Sequence, residues 1–110
     1  MKVLPRFNVR IKVHKRVDPE YIFSGNVPNM PGTSEPYEKC RYEEGMEWIV
    51  NKRIDMPKDF CSWAWRDIYK DVSVLAMGGN FDPWVNKGLI YTSCSDGIRP
   101  VSFLIERIEE

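Results

Sequence analysis

Only one stretch of this 110-residue chain repeats with the period of a helix, and that limits the folds open to it. Between Ser62 and Leu75, the apolar residues Trp65, Ile68, Val72 and Leu75 fall at i, i+3, i+7 and i+10, the spacing of one helical face. Asp59 and Ser62 are both competent N-caps ahead of it, and Gly78-Gly79 supplies a C-terminal stop. Elsewhere the apolar residues alternate or come in short runs. Phe7, Val9, Ile11 and Val13 share one side of a strand whose other side carries Asn8, Arg10 and Lys12. Met46 to Val50 and Leu89 to Ser93 read as further strands, and Val101 to Arg107 alternates through Val101, Phe103 and Ile105. Ser95-Asp96-Gly97 marks a turn between the last two. Hairpin-like spacing favours antiparallel pairing, and one helix covers one sheet face. The expected fold is α+β: a small, mostly antiparallel sheet with one main helix packed on one face.

Breakers set the organisation. Asp18-Pro19 ends the first strand, and Tyr21, Ile22 and Phe23 form a short apolar patch. Ser24 to Pro36 (SGNVPNMPGTSEP) carries three prolines and two glycines, marking a long irregular loop at about 24–39. A mobile excursion is the expectation there, ahead of an active-site lid. Cys40 to Gly45 reads as a turn, and no internal repeat or low-complexity tract appears. The expectation is a single domain over residues 1–110, a length sufficient for one core.

Sixteen basic and sixteen acidic side chains balance to zero formal charge, which argues against nucleic acid as a partner, since phosphate binding draws on a surplus of cations. The basic strip Arg6, Arg10, Lys12, Lys15 and Arg16 reads as the solvated outer face of the first strand. No apolar run approaches the ~20 residues of a membrane helix. Arg6, Arg10 and Lys12 interrupt the N-terminal stretch before a signal-peptide core can form. A cytoplasmic protein with no membrane partner is expected.

Three cysteines, an odd number with no CxxC pair, point to reduced thiols or metal ligands rather than a disulfide scaffold. Cys61 stands at the helix start, where unpaired N–H groups and the positive end of the dipole favour a thiolate. Its competing reading is a small buried hydrophobe. Cys40 and Cys94 each lie at a turn beside a strand end, 21 and 33 residues from Cys61, and match no zinc spacing. His14, the sole histidine, would complete a Cys-Cys-Cys-His tetrahedron, but strand alternation turns it to solvent. Asp96 suits either a general base or an Asp-Gly turn. Trp63, Trp65 and Trp84 suit either the walls of a pocket for a flat ligand or the core of a small domain. Gly78-Gly79-Asn80 lacks the lysine and following helix of a phosphate loop.

Taken together, Cys40 with Gly45 and Trp48, the segment Cys61-Ser-Trp-Ala-Trp-Arg-Asp-Ile-Tyr, the Gly78-Gly79-Asn80-Phe81 turn with Trp84, and Cys94-Ser-Asp96 before a final Val-x-Phe strand resemble the TIGR04076 family of small bacterial and archaeal proteins. The resemblance runs from Phe7 to Glu109, and its Cys-x-Trp-Ala-Trp element is specific. The chain departs at Phe60, where Met is usual, at Ser62 and Ser95, where Pro is usual, and in the long loop between Val17 and Glu38. The resemblance implies a site shared by the three cysteines, with no reaction attached. It also implies Cys61 as N-cap, with Ser62 in the place of a proline at the first helical position.

Two principal readings follow. In one, the chain is a small enzyme or small-molecule-binding protein whose site gathers Cys40, Cys61 and Cys94. Cys61 would then be a nucleophile or, with the other two, a ligand of a transition metal such as zinc. Asp96 would be the base or orienting acceptor, and the tryptophans the walls. In the other, the chain is a non-catalytic structural or interaction module that forms a homo-oligomer, because sheet edges need protection. A third, redox sensing, needs two cysteine Cα atoms within about 7 Å.

Overall fold

The structure is a computed structural model describing residues 6–109; residues 1–5, part of the stretch read for a signal-peptide core, and Glu110 lie outside the described residues. The elements run β1 (Asn8–Arg16), α1 (Pro19–Ile22), β2 (Glu47–Val50), α2 (Ser62–Ala76), β3 (Leu89–Ser93) and β4 (Val101–Ile108). All strand pairs are antiparallel, in the order β2-β1-β4-β3, so the α+β expectation is the fold observed. The helix follows β2 in the chain and packs on one face of the sheet, against β3, β4 and β1. Its Ile68, Val72 and Leu75 are fully buried, as are Val9 and Ile11 of β1 and Phe103 and Ile105 of β4. Each such side chain contributes about 1.5–3 kcal/mol through removal from water. Among the described residues no helix is long and apolar enough to cross a membrane.

The first strand runs past Val13 to Arg16, and it is not regular. Val13 pairs with Phe103 and Lys15 with Ser102, leaving His14 as an extra residue. A bulge of this kind reverses the alternation beyond it. Arg16 therefore lies opposite the buried Val101 and faces the core side, where its Nη1 donates to the Cys40 carbonyl at 3.0 Å. This corrects the uniform outer strip expected from the sequence. Of the remaining cations, Arg10 lies between Glu47 and Glu106 at 3.4 and 3.6 Å, and Lys15 lies 3.4 Å from Glu44.

The apolar patch after Asp18 is one helical turn, with the Asp18 carboxylate accepting the Glu20 N–H at 2.9 Å and Pro19 at the first position. Beyond it the chain makes a small hydrogen-bonded hairpin: Met30 N–H donates to Glu35 at 2.9 Å, and Tyr37 N–H to Pro28 at 3.1 Å. Every residue from 24 to 36 except Val27 is exposed. The Cα radius of gyration is 16.3 Å, against about 13 Å for a compact chain of this length.

Helix α2 ends in a Schellman motif: Gly78, at φ +87°, donates to Leu75 at 3.1 Å, and Gly79 donates to Val74 at 2.8 Å. Gly79 also has no room for a side chain, because a Cβ would stand 2.8 Å from Val74 Cγ1. Arg107 of β4 completes this end. Its side chain is only 6% exposed, and its guanidinium donates to Gly79 O at 2.7 Å, Leu75 O at 3.3 Å and Asn80 Oδ1 at 2.9 Å. The cation also lies 5.4 Å from the centre of the Phe7 ring. Cationic donors at helix carbonyls are favoured by the dipole and leave few orphan acceptors. Replacing Arg107 by Met is expected to lower stability by about 2–4 kcal/mol in urea unfolding, with Arg107→Lys recovering only part, since one ammonium lacks the fork that spans these acceptors.

Candidate functional site

The start of α2 is placed by aromatic packing. Phe60, buried to 5% exposure, lies 4.9 Å from Trp48, 5.8 Å from Phe103, 6.0 Å from Tyr42 and 6.2 Å from Trp65, measured between ring centres. The next residue, Cys61, is the N-cap: its backbone is extended and its carbonyl accepts the Trp65 N–H at 2.9 Å. Neither Asp59 nor Ser62 takes that role. Asp59 occupies a left-handed turn at φ +63°, and Ser62 is the first helical residue. The Cys61 side chain makes no cap bond, while its N–H donates to Tyr42 Oη at 2.6 Å.

The β3–β4 connection brings Cys94 to the same place. Cys94 N–H donates to Val101 O at 3.1 Å, and Val101 N–H donates to Cys94 Sγ at 3.3 Å. Beyond it, Asp96 Oδ1 accepts the N–H groups of Ile98 and Arg99 at 2.9 and 3.0 Å, and Oδ2 faces Arg99 Nε at 3.4 Å. The helix holds this loop from the other side. Asp67 Oδ2 accepts Ser95 N–H at 2.7 Å, and Trp63 Nε1 donates to Ser95 Oγ at 3.1 Å. Cys40 arrives on the stem of the long excursion, clamped through its carbonyl by Arg16.

These segments enclose a cleft of about 520 Å³, within the range of small-molecule sites. Cys40, Cys61, Cys94, Trp63 and Asp96 all line it, and all three thiols are half-buried. The other expected residues lie elsewhere. Trp65 packs between Phe60 and Tyr69 as part of the aromatic cluster, and Trp84 sits in a turn at 78% exposure. His14 is exposed and stacks edge-on against Tyr91 at 5.1 Å, so it completes no tetrahedron with the cysteines. Among the described residues no three His, Cys, Asp or Glu side chains are grouped as a metal ion would need. The cysteines share a cleft without forming a preformed zinc-type ligand set.

Among the lining residues that the sequence reading did not single out are Tyr37, Tyr42 and Arg99. Tyr42 supplies the hydroxyl under Cys61, and Arg99 lies over the ring of Tyr37 at 5.5 Å. Tyr42 is two residues after Cys40 and Arg99 three after Asp96, a proximity that becomes informative only once those two residues are known to line a cleft. Burial pushes the Tyr42 phenol above its ordinary value of 10.0, against the lowering effect of the Cys61 N–H, so it stays protonated. For Asp96, desolvation works against the charge, but the Arg99 and Ile98 N–H groups and the Arg99 guanidinium outweigh it and hold the carboxyl below 3.8. Such a carboxylate is a weak proton acceptor, and its geometry is that of a turn organiser.

Comparison with protein-family models, curated proteins and solved structures gives no match.

A carboxyl with a lowered folded value stabilises the fold above its unfolded value, and that contribution disappears as pH falls through the folded value. Asp96→Asn is therefore expected to be less stable than the wild type near neutral pH, with the two unfolding curves converging as pH falls below 3.8. A gap that stays constant across that range would remove the charge from the explanation.

Proposed function

We propose that the cleft is a small-molecule site with Cys61 as its nucleophilic thiol, catalytic or covalent in use. The observation that carries this reading is convergence. Three cysteines separated by 21 and 33 residues, on three different segments, line one cleft beside the start of α2. Burial as small hydrophobes would scatter them through the core, whereas all three are half-buried around a common space. Cys61 is the best placed of them. Its sulfur makes no cap bond at the positive end of a 15-residue helix, whereas Cys94 Sγ already accepts the Val101 N–H. Trp63 and Tyr37 wall the space, and Asp96 orients the loop. In native protein treated with limiting iodoacetamide, peptide mapping is expected to show Cys61 alkylated at least about tenfold faster than Cys94. If all three thiols react only after denaturation, the reading fails.

A second reading, a homo-oligomeric interaction module, draws on a separate observation. The molecule measures 60 × 30 × 20 Å, the hairpin excursion is exposed nearly throughout, and Tyr21 at its base is 81% exposed. A second copy of the chain would cover such an arm. Light scattering coupled to size exclusion is then expected to give a dimer mass, falling to a monomer in Tyr21→Ser combined with Met30→Ser. A wild-type monomer at all accessible concentrations rules this second reading out.

A further inference from the structure

We infer that the cleft recognises a small organic anion, an acidic head on a short apolar body; this rests on the proposal that the cleft is a small-molecule site with a reactive Cys61. The body follows from the walls. Tyr37, Trp63, Ile98 and Phe103 present carbon to the cleft, and such a surface gains most from apolar ligand area. The head follows from the polar groups, which are donors left without acceptors.

Three such donors face the cleft. Tyr42 is 5% exposed and accepts the Cys61 N–H, yet its own hydroxyl proton has no acceptor among the described residues. Its raised value keeps that proton in place at neutral pH. Arg99 uses Nε toward Asp96 and stacks over Tyr37, which fixes the guanidinium plane while both Nη groups remain without a partner among the described residues. The third is the start of α2. Its first turn carries no acidic residue and its N-cap side chain makes no bond, so the amides of the lining residues Trp63 and Ala64 keep their donors. The nearby carboxylates keep their negative charge, but their lone pairs are turned to other donors. Asp67 is engaged by Ser95 N–H, and Asp96 by two loop amides and Arg99 Nε. Of these donors only the Tyr42 hydroxyl is buried, where lacking an acceptor is costly. Arg99 and the start of α2 are partly open to water, and a carboxylate supplies lone pairs to several such donors at once. A neutral carbonyl ligand answers at most two of them.

Two alkylating reagents of nearly equal size separate charge recognition from thiol reactivity. With iodoacetate or iodoacetamide, the Cys61 thiolate attacks the methylene carbon, a C–S bond forms, the C–I bond breaks with iodide leaving, and the thiol proton passes to solvent. The readout is the rate with iodoacetate divided by the rate with iodoacetamide at Cys61, taken in the folded protein and again in the same chain unfolded in urea. Charge-assisted contacts at the site are expected to raise this ratio at least about tenfold on folding. Arg99→Gln is expected to remove most of that rise, whereas Lys87→Gln, the same change of charge at an exposed residue outside the cleft lining, is expected to keep it. A folded ratio equal to or below the unfolded one overturns the anion inference while leaving the reactive thiol standing. If Cys61 reacts with neither reagent in the folded protein, the small-molecule reading with its reactive thiol fails, and this inference fails with it.

Discussion

The packing of Phe60 against both the sheet and the helix is the interaction on which the rest of the molecule depends. One helix must cover a four-stranded sheet, and its orientation is open until its first residue is pinned. Phe60 does this by touching Trp48 on β2, Phe103 on β4, Tyr42 on the approach to β2 and Trp65 on α2 itself. Aromatic pairs at 4.9 to 6.2 Å prefer tilted or edge-on geometry, which resists rotation of the helix start as well as its withdrawal. Cys61 is one bond further along the chain. Its position is a consequence of that packing.

The other end of α2 is secured by different physics. At the start, apolar contact dominates and the amides remain open to the cleft. At the end, a buried guanidinium and two glycine turns satisfy the carbonyls. The two ends differ accordingly: the closed end contributes stability, and the open end is where the proposed site lies. The loop from Cys94 to Pro100 belongs to the open end. It is tied to the helix by Asp67 and Trp63 and stiffened internally by Asp96, so these polar groups hold a wall of the cleft in place.

Much of the fold was legible because binary patterning has only two periods. Every strand and the main helix were recognisable from alternation, from short apolar runs or from the 65-68-72-75 spacing, and the ends came within a few residues. The failures have identifiable causes. His14 breaks alternation by a bulge, which depends on what Ser102 and Phe103 do on another strand; the reversal at Arg16 followed from it. Helical spacing puts Trp65 on the apolar face, in keeping with its place in the aromatic cluster, but nothing local tells Trp63 from Trp84; Trp84 lies in solvent, and of the three only Trp63 reaches the cleft. Asp96 had both a chemical and a conformational reading, and the two amides it accepts support the turn.

By itself, the sequence determined the element types, the single covering helix and the presence of three reduced-type cysteines near element ends, because these are properties of local pattern and composition. Only the tertiary structure decided that those cysteines share one cleft, that Tyr42 and Arg99 line it with them, and that Arg107 closes the far end of the helix. Those outcomes depend on contacts between residues 19 to 32 positions apart, whose geometry is set by strand register and by where a buried aromatic ring finds room. No local period carries that information.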